Sequence, residues 1–481
     1  MTAAPFSARV IERGGSVVLG GAFVVLFGLA LWLPTLSAVY GLAFAAAVVA
    51  LPLVLWATTR HPLGPLAGAL VFFGFISRNK AGIQPEEIAF ALYYLGFLSH
   101  WFVTRALVYK ERIVRGGLDL VLVGFLLYVT ASVGLTIVFG GKLSGAMSEW
   151  VNFSMFAFYF PIREAVERYD IGRWVIAAIV IYLGVFAGLR NVLLLQTMFS
   201  GADHSRAITG GRIPMNEMIL LVAALGSVTA IGYARSHIQR LALVPVLGLT
   251  VGALILSQTR AYYVDLAIGV FLLLLLLPPG KRSRAFWTGT LTLIAMVGGA
   301  YIAFGEALLV LQYGLLNRVV SLATATQVDI SLLNRFIETD AVWAEILRNP
   351  IAGYGLGVDF TFYDAIFKGN WTKPYAHNGF LSLWFKFGVF GLLAVLLIWG
   401  RGIVHGWRVA RARVEDLSPF GLWAMCCLIS LIPSHASAAT FSNLDTVLTF
   451  TLLLGVAAGC VGRLSNEIAK PAPGPVEPGV V

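Results

Sequence analysis

The stretch AYYVDLAIGVFLLLLLLPP, residues 261–279, decides the fold. After Asp265 it carries no charge, and its side chains are apolar all round rather than along one stripe, so water cannot be the solvent of either face. Its length matches the roughly 20 residues that a helix rising 1.5 Å per residue needs to cross about 30 Å of hydrocarbon. A second stretch, NGFLSLWFKFGVFGLLAVLLIWG at 378–400, has the same character. A transmembrane barrel would instead show short segments alternating in polarity. The rest of the chain agrees: of 481 residues, 58% are hydrophobic and 12% charged, against about a quarter charged in a soluble domain, and the mean hydropathy is +0.84.

Working outward by the same length rule, spans are predicted near 16–35, 38–57, 62–77, 88–106, 117–139, 150–163, 173–196, 216–234, 239–258, 261–279, 286–304, 378–400, 418–434 and 441–462, about fourteen in all. The expected fold class is therefore all-α, a polytopic transmembrane helix bundle. The first apolar run reads as a span rather than a cleaved leader, because it is long and no small-residue cleavage site follows it. Cys426, Cys427 and Cys460 lie inside apolar segments without metal-ligand spacing and read as packing residues.

The net charge of +10 is a matter of sidedness rather than of nucleic acid, which is not an expected partner. With the N-terminus inside, Arg9, Arg13, Arg60, the 105–115 cluster, Arg163/Arg168/Arg173, Arg235/Arg240, Lys281/Arg282/Arg284, the 401–413 cluster, Arg463 and Lys470 all fall on the cytoplasmic side. That puts both termini in the cytoplasm. Two polar segments are left on the outer face, the periplasm in a bacterium: 195–215, with His204, Arg206 and Arg212, and the long loop 305–376. The expected organisation is eleven spans in 1–304, a periplasmic loop domain at 305–377, three spans in 378–465 and a disordered cytoplasmic tail at 466–481, rich in Pro and Gly.

Within the loop, 331–349 reads as an amphipathic helix with Leu333, Ile337, Ala341, Ala344 and Leu347 on its apolar stripe. Pro350 stops it, and Gly353, Gly355 and Gly357 form a tight turn. His377 then stands at a helix N-terminus, where the macrodipole favours anions and disfavours a protonated ring. A neutral imidazole there can take a proton from an attacking hydroxyl. The plainer alternative is a cap or interfacial anchor. Arg260 at a bilayer edge could equally be a snorkelling anchor, and Arg335 could pair with Glu338. Glu338 and Asp340 are the outer-face carboxylates with metal-like spacing, but two residues apart on a helix they diverge. Asp265, Lys386, Asp445 and Glu217 lie in or at the ends of spans, where charge pairs internally or marks a pathway.

His377-Asn378, with Gly388 and Gly391 downstream, resembles the signature of the O-antigen ligase and O-antigen polymerase superfamily. Ser257-Gln258-Thr259-Arg260 is similar to that family's Ser/Thr-x-Ser/Thr-Arg segment. Arg335 followed by Asn349-Pro350-Ile351-Ala352-Gly353-Tyr354-Gly355 is similar to its arginine-bearing helix and Pro-x-x-Gly-x-Gly turn, and 206–216 resembles its shorter loop. The resemblance covers roughly residues 200–400, in family order. It implies a bacterial inner-membrane glycosyltransferase, active on the periplasmic face without a metal or other cofactor, whose donor is an undecaprenyl-diphosphate-linked oligosaccharide. His377 would serve the acceptor hydroxyl; Arg260, Arg335, Arg206 and Arg212 would bind the diphosphate; Asn378, Gly353 and Gly355 would support the site. Arginine suits a diphosphate because its fixed fork of donors matches phosphate oxygens. The partners implied are that donor, a glycan or lipid A-core acceptor, the bilayer and a chain-length regulator protein.

The span count, about two above the twelve associated with ligases, tips the expectation to a polymerase of O-antigen or exopolysaccharide repeat units. A ligase acting on lipid A core is the alternative. A solute or ion transporter is the reading from another class, disfavoured by the lack of repeated halves.

Overall fold

A computed structural model of the chain describes residues 62–74, 85–200, 216–304 and 330–468. The spans predicted at 16–35 and 38–57, and Arg206 and Arg212, lie outside the described residues. The chain forms two compact units, Met1–Arg115 and Gly116–Val481. In the first, helices α1 (Leu63–Phe73) and α2 (Pro85–Val103) are joined by the Phe73 and Phe90 rings at 5.5 Å and by the Tyr93 hydroxyl, which donates to the Pro65 carbonyl.

The second unit comprises α3 (Gly117–Val138), α4 (Leu143–Ser154), α5 (Tyr159–Arg168), α6 (Gly172–Ser200), α7 (Glu217–Tyr233), α8 (His237–Leu256), α9 (Arg260–Leu276) and α10 (Pro279–Phe304). There follow α11 (Ile330–Arg348), a hairpin of β1 (Phe360–Asp364) and β2 (Gly369–Lys373), α12 (Gly379–Arg411), α13 (Ser418–Ser430), α14 (Ile432–Ser437) and α15 (Leu444–Ile468). Six stretches among the described residues are long and apolar enough to cross a membrane: Gly117–Val138, Gly172–Leu194, His237–Leu256, Gly379–Arg411, Ser418–Ser437 and Leu444–Ile468. The protein is a helical membrane protein.

The core is aromatic. Phe125, Phe153, Phe156 and Phe387 meet edge to face at 4.9–6.2 Å, and Phe450 joins Phe156 to Trp399, the tilted geometry that ring quadrupoles favour. Gly455 and Gly459, one turn apart on α15, let it close onto Ile162 and Val166 of α5, where a Cβ would have no room. The indole N–H groups of Trp399 and Trp423 donate to the Leu428 and Val222 carbonyls, so each buried polar tip finds a partner.

Three expectations need correction. The all-α class omits the antiparallel hairpin, paired from Phe360 with Lys373 to Asp364 with Gly369. The segment predicted as a span at 150–163 is instead α4, a 3-10 turn at Met155–Phe158, and α5. It carries Arg163 and Glu164 buried, and Arg163 is paired with Asp119. The apolar stripe expected on 331–349 is rotated. On α11 the buried positions are Asn334, Glu338, Val342 and Ile346; Ile337 and Ala341 of the expected stripe pack against that core, while Leu333, Ala344 and Leu347 stand exposed.

Candidate functional site

Val342 and Ile346 of α11 pack with Val358, Phe360, Phe362, Ala376 and Phe385 into a small core, which fixes α11 and the hairpin against the start of α12. Asn334 clasps the hairpin turn: its side-chain N–H donates to Asp364 and its oxygen accepts from the Ala365 N–H. Asp364 also accepts from the Ile366 and Phe367 N–H groups at 2.8 and 3.0 Å. The Phe367 N–H is the leading influence that holds this carboxyl below its ordinary value, against a smaller opposing effect of burial.

With hairpin and helix so fixed, Glu338 faces the end of β2 and the residue before α12. One carboxylate oxygen accepts the His377 backbone N–H at 2.6 Å and the Lys373 ammonium at 2.9 Å; the other lies 2.6 Å from His377 Nδ1. Lys373 Nζ is 3.1 Å from the same Nδ1. The shorter of the two contacts is to the carboxylate, which only accepts, so with the proton on Nδ1 the ring donates to Glu338 and Nε2 is the nitrogen left for a substrate. Burial alone would raise the Glu338 carboxyl, but hydrogen bonds and charge from His377 and Lys373 outweigh it and hold the group below its ordinary value. Burial depresses the Lys373 ammonium, Glu338 and Asp364 recover part of that, and the positive charge of Arg335 adds to the depression. Lys373 also sits over the Phe362 and Tyr375 rings at 4.9 and 5.3 Å. Glu338 is almost wholly buried, whereas the imidazole is 44% exposed, so the ring is gripped from behind and open in front.

Asn378 caps α12, its side-chain oxygen accepting from the Phe380 and Leu381 N–H groups. Below it the helix breaks at Gly388, whose φ of 60° and ψ of −171° suit glycine alone. The turn after Pro350 docks into that break: Tyr354 N–H donates to the Phe385 carbonyl, Gly355 N–H to Lys386, and Val389 N–H to Pro350, at 2.8–2.9 Å. Gly353 and Gly355, with φ of 70° and 87°, make the approach possible. Lys386 sits beneath as an ion pair with Glu149 at 2.6 Å, and Glu149 also accepts the Gly357 N–H.

Arg260 opens α9 after a turn in which Gln258 takes φ 52° and the Thr259 hydroxyl donates to Glu217. The beginnings of α9 and α12 flank α14. Asp265 of α9 accepts the Ser434 N–H at 3.1 Å, and the buried ring of His435 fills the space where Gly379 would carry a side chain.

Of the site residues predicted from sequence, His377, Asn378, Gly353 and Gly355 thus meet around the N-terminal half of α12, and Arg335 lies one turn before Glu338 on α11. Sequence reasoning missed Glu338 and Lys373 as partners of His377. It offered Glu338 as a mate for Arg335 or half of a metal pair with Asp340, yet Glu338 points inward while Asp340 is exposed. The signal that could have found Lys373 is the alternation in Phe360-Thr361-Phe362-Tyr363-Asp364, which marks the hairpin that carries it. Of the two readings open for Lys386, a pathway residue or one half of an internal pair, the structure shows the pair, with Glu149 as its partner. A groove of about 590 Å³, lined by Trp174, Gly226, Tyr233, Arg235, Asp416 and Trp423 among others, includes none of these site residues.

The O-Antigen ligase family profile matches residues 245–396, the segment from α8 to the middle of α12. An O-antigen ligase of Salmonella typhimurium (strain LT2) is 26% identical over 134 residues, 26% of this chain and 31% of that protein. The chain therefore matches about a third of that relative's length. The matched segment holds Arg260, Arg335, Glu338, the glycine turn and His377. Over these residues the chain is similar to the O-antigen ligase family.

Proposed function

We propose that this protein transfers a glycan from a polyprenyl-diphosphate lipid to an acceptor hydroxyl on the periplasmic face of the inner membrane, and that it does so as a ligase. The observation that carries the reading is an imidazole whose Nδ1 is held by a buried carboxylate while the ring stays open. In this arrangement Nε2 takes the acceptor's proton as its oxygen attacks the anomeric carbon. The bond from that carbon to the diphosphate oxygen breaks, and the electron pair leaves with the diphosphate. A single displacement of this kind inverts the anomeric centre.

Electrostatics favour the sequence of events. Before reaction Glu338 and Lys373 cancel; once the imidazole is protonated the trio carries one positive charge, close to where the leaving group gains negative charge. Arg335 on the same helix and Arg260 at the start of α9 take the diphosphate, with Arg206 and Arg212 assigned to it by the family resemblance. A diphosphate leaves readily once its charge is matched, so the reading needs guanidinium forks rather than a metal. The inward commitment of Glu338 and the outward position of Asp340 support that assignment.

Both comparisons name a ligase. The polymerase expectation rested on the number of spans, and the segment at 143–168, broken by a 3-10 turn, weakens that argument. Lipid A core is accordingly the proposed acceptor. Purified protein in nanodiscs, supplied with an undecaprenyl-diphosphate-linked glycan and lipid A core, is expected to yield glycosylated core and free undecaprenyl diphosphate. Lengthened lipid-linked glycan with unmodified core would replace the ligase by a polymerase, and failure to form any glycosidic product would overturn the reading.

A further inference from the structure

The outward face of α11 is apolar where a water-facing helix would be charged. Leu333, Phe336 and Leu347 are 52–62% exposed, Trp343 is exposed beside them, and Ile330 and Ile351 extend the strip at its two ends. At 100° per residue, 333, 336, 340, 343, 344 and 347 share one face. Asp340 is the acidic residue on it. The inward face combines Asn334 and Glu338 with Val342 and Ile346, so the helix is apolar outside as well as inside, whereas a helix facing water carries polar and charged residues on its outer side.

The strip is continuous with a surface that must meet lipid. Trp343 packs edge-on against Trp384 of α12, ring centres 5.4 Å apart, and the Trp384 indole N–H donates to the Pro350 carbonyl. Beyond the Gly388 break, α12 exposes Phe390, Leu393 and Leu397 along one stripe of a helix long and apolar enough to span a bilayer. Two tryptophans at the junction are the residues expected at the water–hydrocarbon boundary, where an apolar ring and a polar N–H are both accommodated.

We infer that α11 is an interfacial helix whose outer face, Leu333, Phe336, Trp343 and Leu347, is immersed in the lipid surface while its inner face holds His377 through Glu338. A helix lying in the plane of the interface buries its apolar side among acyl chains and keeps charged residues such as Arg348 at headgroup level. Asp340, central on the same face, is then carried into the interface with it, where a lipid ammonium can neutralise it. The depth of His377 is set by the membrane itself, whatever reaction the histidine serves.

The test is site-directed spin labelling of the full chain in nanodiscs of phosphatidylethanolamine and phosphatidylglycerol. The three native cysteines are buried, which favours labelling at introduced ones. Nitroxides placed by Leu333→Cys, Phe336→Cys and Leu347→Cys, all at exposed positions, are expected to collide more often with oxygen, which concentrates in lipid, than with a water-soluble nickel chelate. Arg348→Cys should show the reverse bias. Nickel exposure at all three positions equal to that at 348 would place the face in water and overturn the inference. Exclusion of both reagents from all three would show the face covered by protein, a second copy or a partner, and would overturn it equally.

Discussion

Glu338 satisfies three donors at once, and its removal has separable consequences. Glu338→Gln keeps the shape but cannot accept from every donor or match the charge of Lys373. We expect the transfer rate to fall about 10- to 1,000-fold with KM little changed, since an orienting carboxylate acts through the base it holds. His377→Ala should cost about 100- to 10,000-fold, the usual worth of a general base. Rate and KM measured for both variants check this; a normal rate in Glu338→Gln would reduce the carboxylate to a structural anchor. The same contacts set a pH dependence. Folding lowers the Glu338 and Asp364 carboxyls, so their stabilisation is complete above the unfolded carboxylate range near 4 and is lost as the pH falls through the folded values. Thermal unfolding followed from pH 7 downward should show little change to about pH 5 and a decline below it. That His377 stands at a helix N-terminus was legible from its neighbours Asn378 and Gly379, a cap and a helix start. Its partners were not, because Glu338 is 39 residues away and Lys373 reaches the ring only once the hairpin has formed.

At the scale of elements, the glycine turn and the break in α12 form one joint. Gly388→Ala would force a side chain into a backbone conformation reserved for glycine, at about 1–3 kcal/mol, and into the Ile351 carbonyl. A clear loss of thermal stability in detergent is expected, measured by the temperature at which the monodisperse peak disappears. Lys386→Met removes one partner of a buried pair, and we expect a cost of about 3–5 kcal/mol. Combining it with Glu149→Leu should recover much of that loss, because the stranded carboxylate goes too. A double variant no better than Lys386→Met would show that the pair is not coupled as drawn. The joint was half visible beforehand: Pro350 and the glycines announce a turn, but nothing local says that it docks 35 residues on. The apolar stripe of α11 was misassigned for a related reason. Periodicity finds an apolar face without saying which solvent it meets, and here the inner face combines Val342 and Ile346 with the polar Asn334 and Glu338.

Across the whole second unit, polar contacts sort to two ends. Arg163 meets Asp119, Arg173 and Arg235 meet Asp416, and Arg463 meets Asp170, gathering loops that the distribution of positive charge assigns to the cytoplasm. His377, Glu338, the glycine turn, the Glu149–Lys386 pair and the start of α9 belong to segments assigned to the opposite face. Composition made the membrane class legible, because a chain with 12% charged residues must bury its surface in something other than water. The sidedness of the loops is a claim about the assembled molecule, and membrane-impermeant maleimide should label Lys368→Cys from the periplasm but Arg411→Cys only after lysis. The imidazole at 377, held through Nδ1, is proposed as the base of a transfer from a lipid diphosphate. The most direct test of this proposal is the release of undecaprenyl diphosphate from a lipid-linked glycan by purified wild-type protein and by the His377→Ala variant, with lipid A core present and folding verified for both. Acceptor-dependent release by the wild type and its near abolition in the variant is the predicted result; equal release by the two would contradict the account.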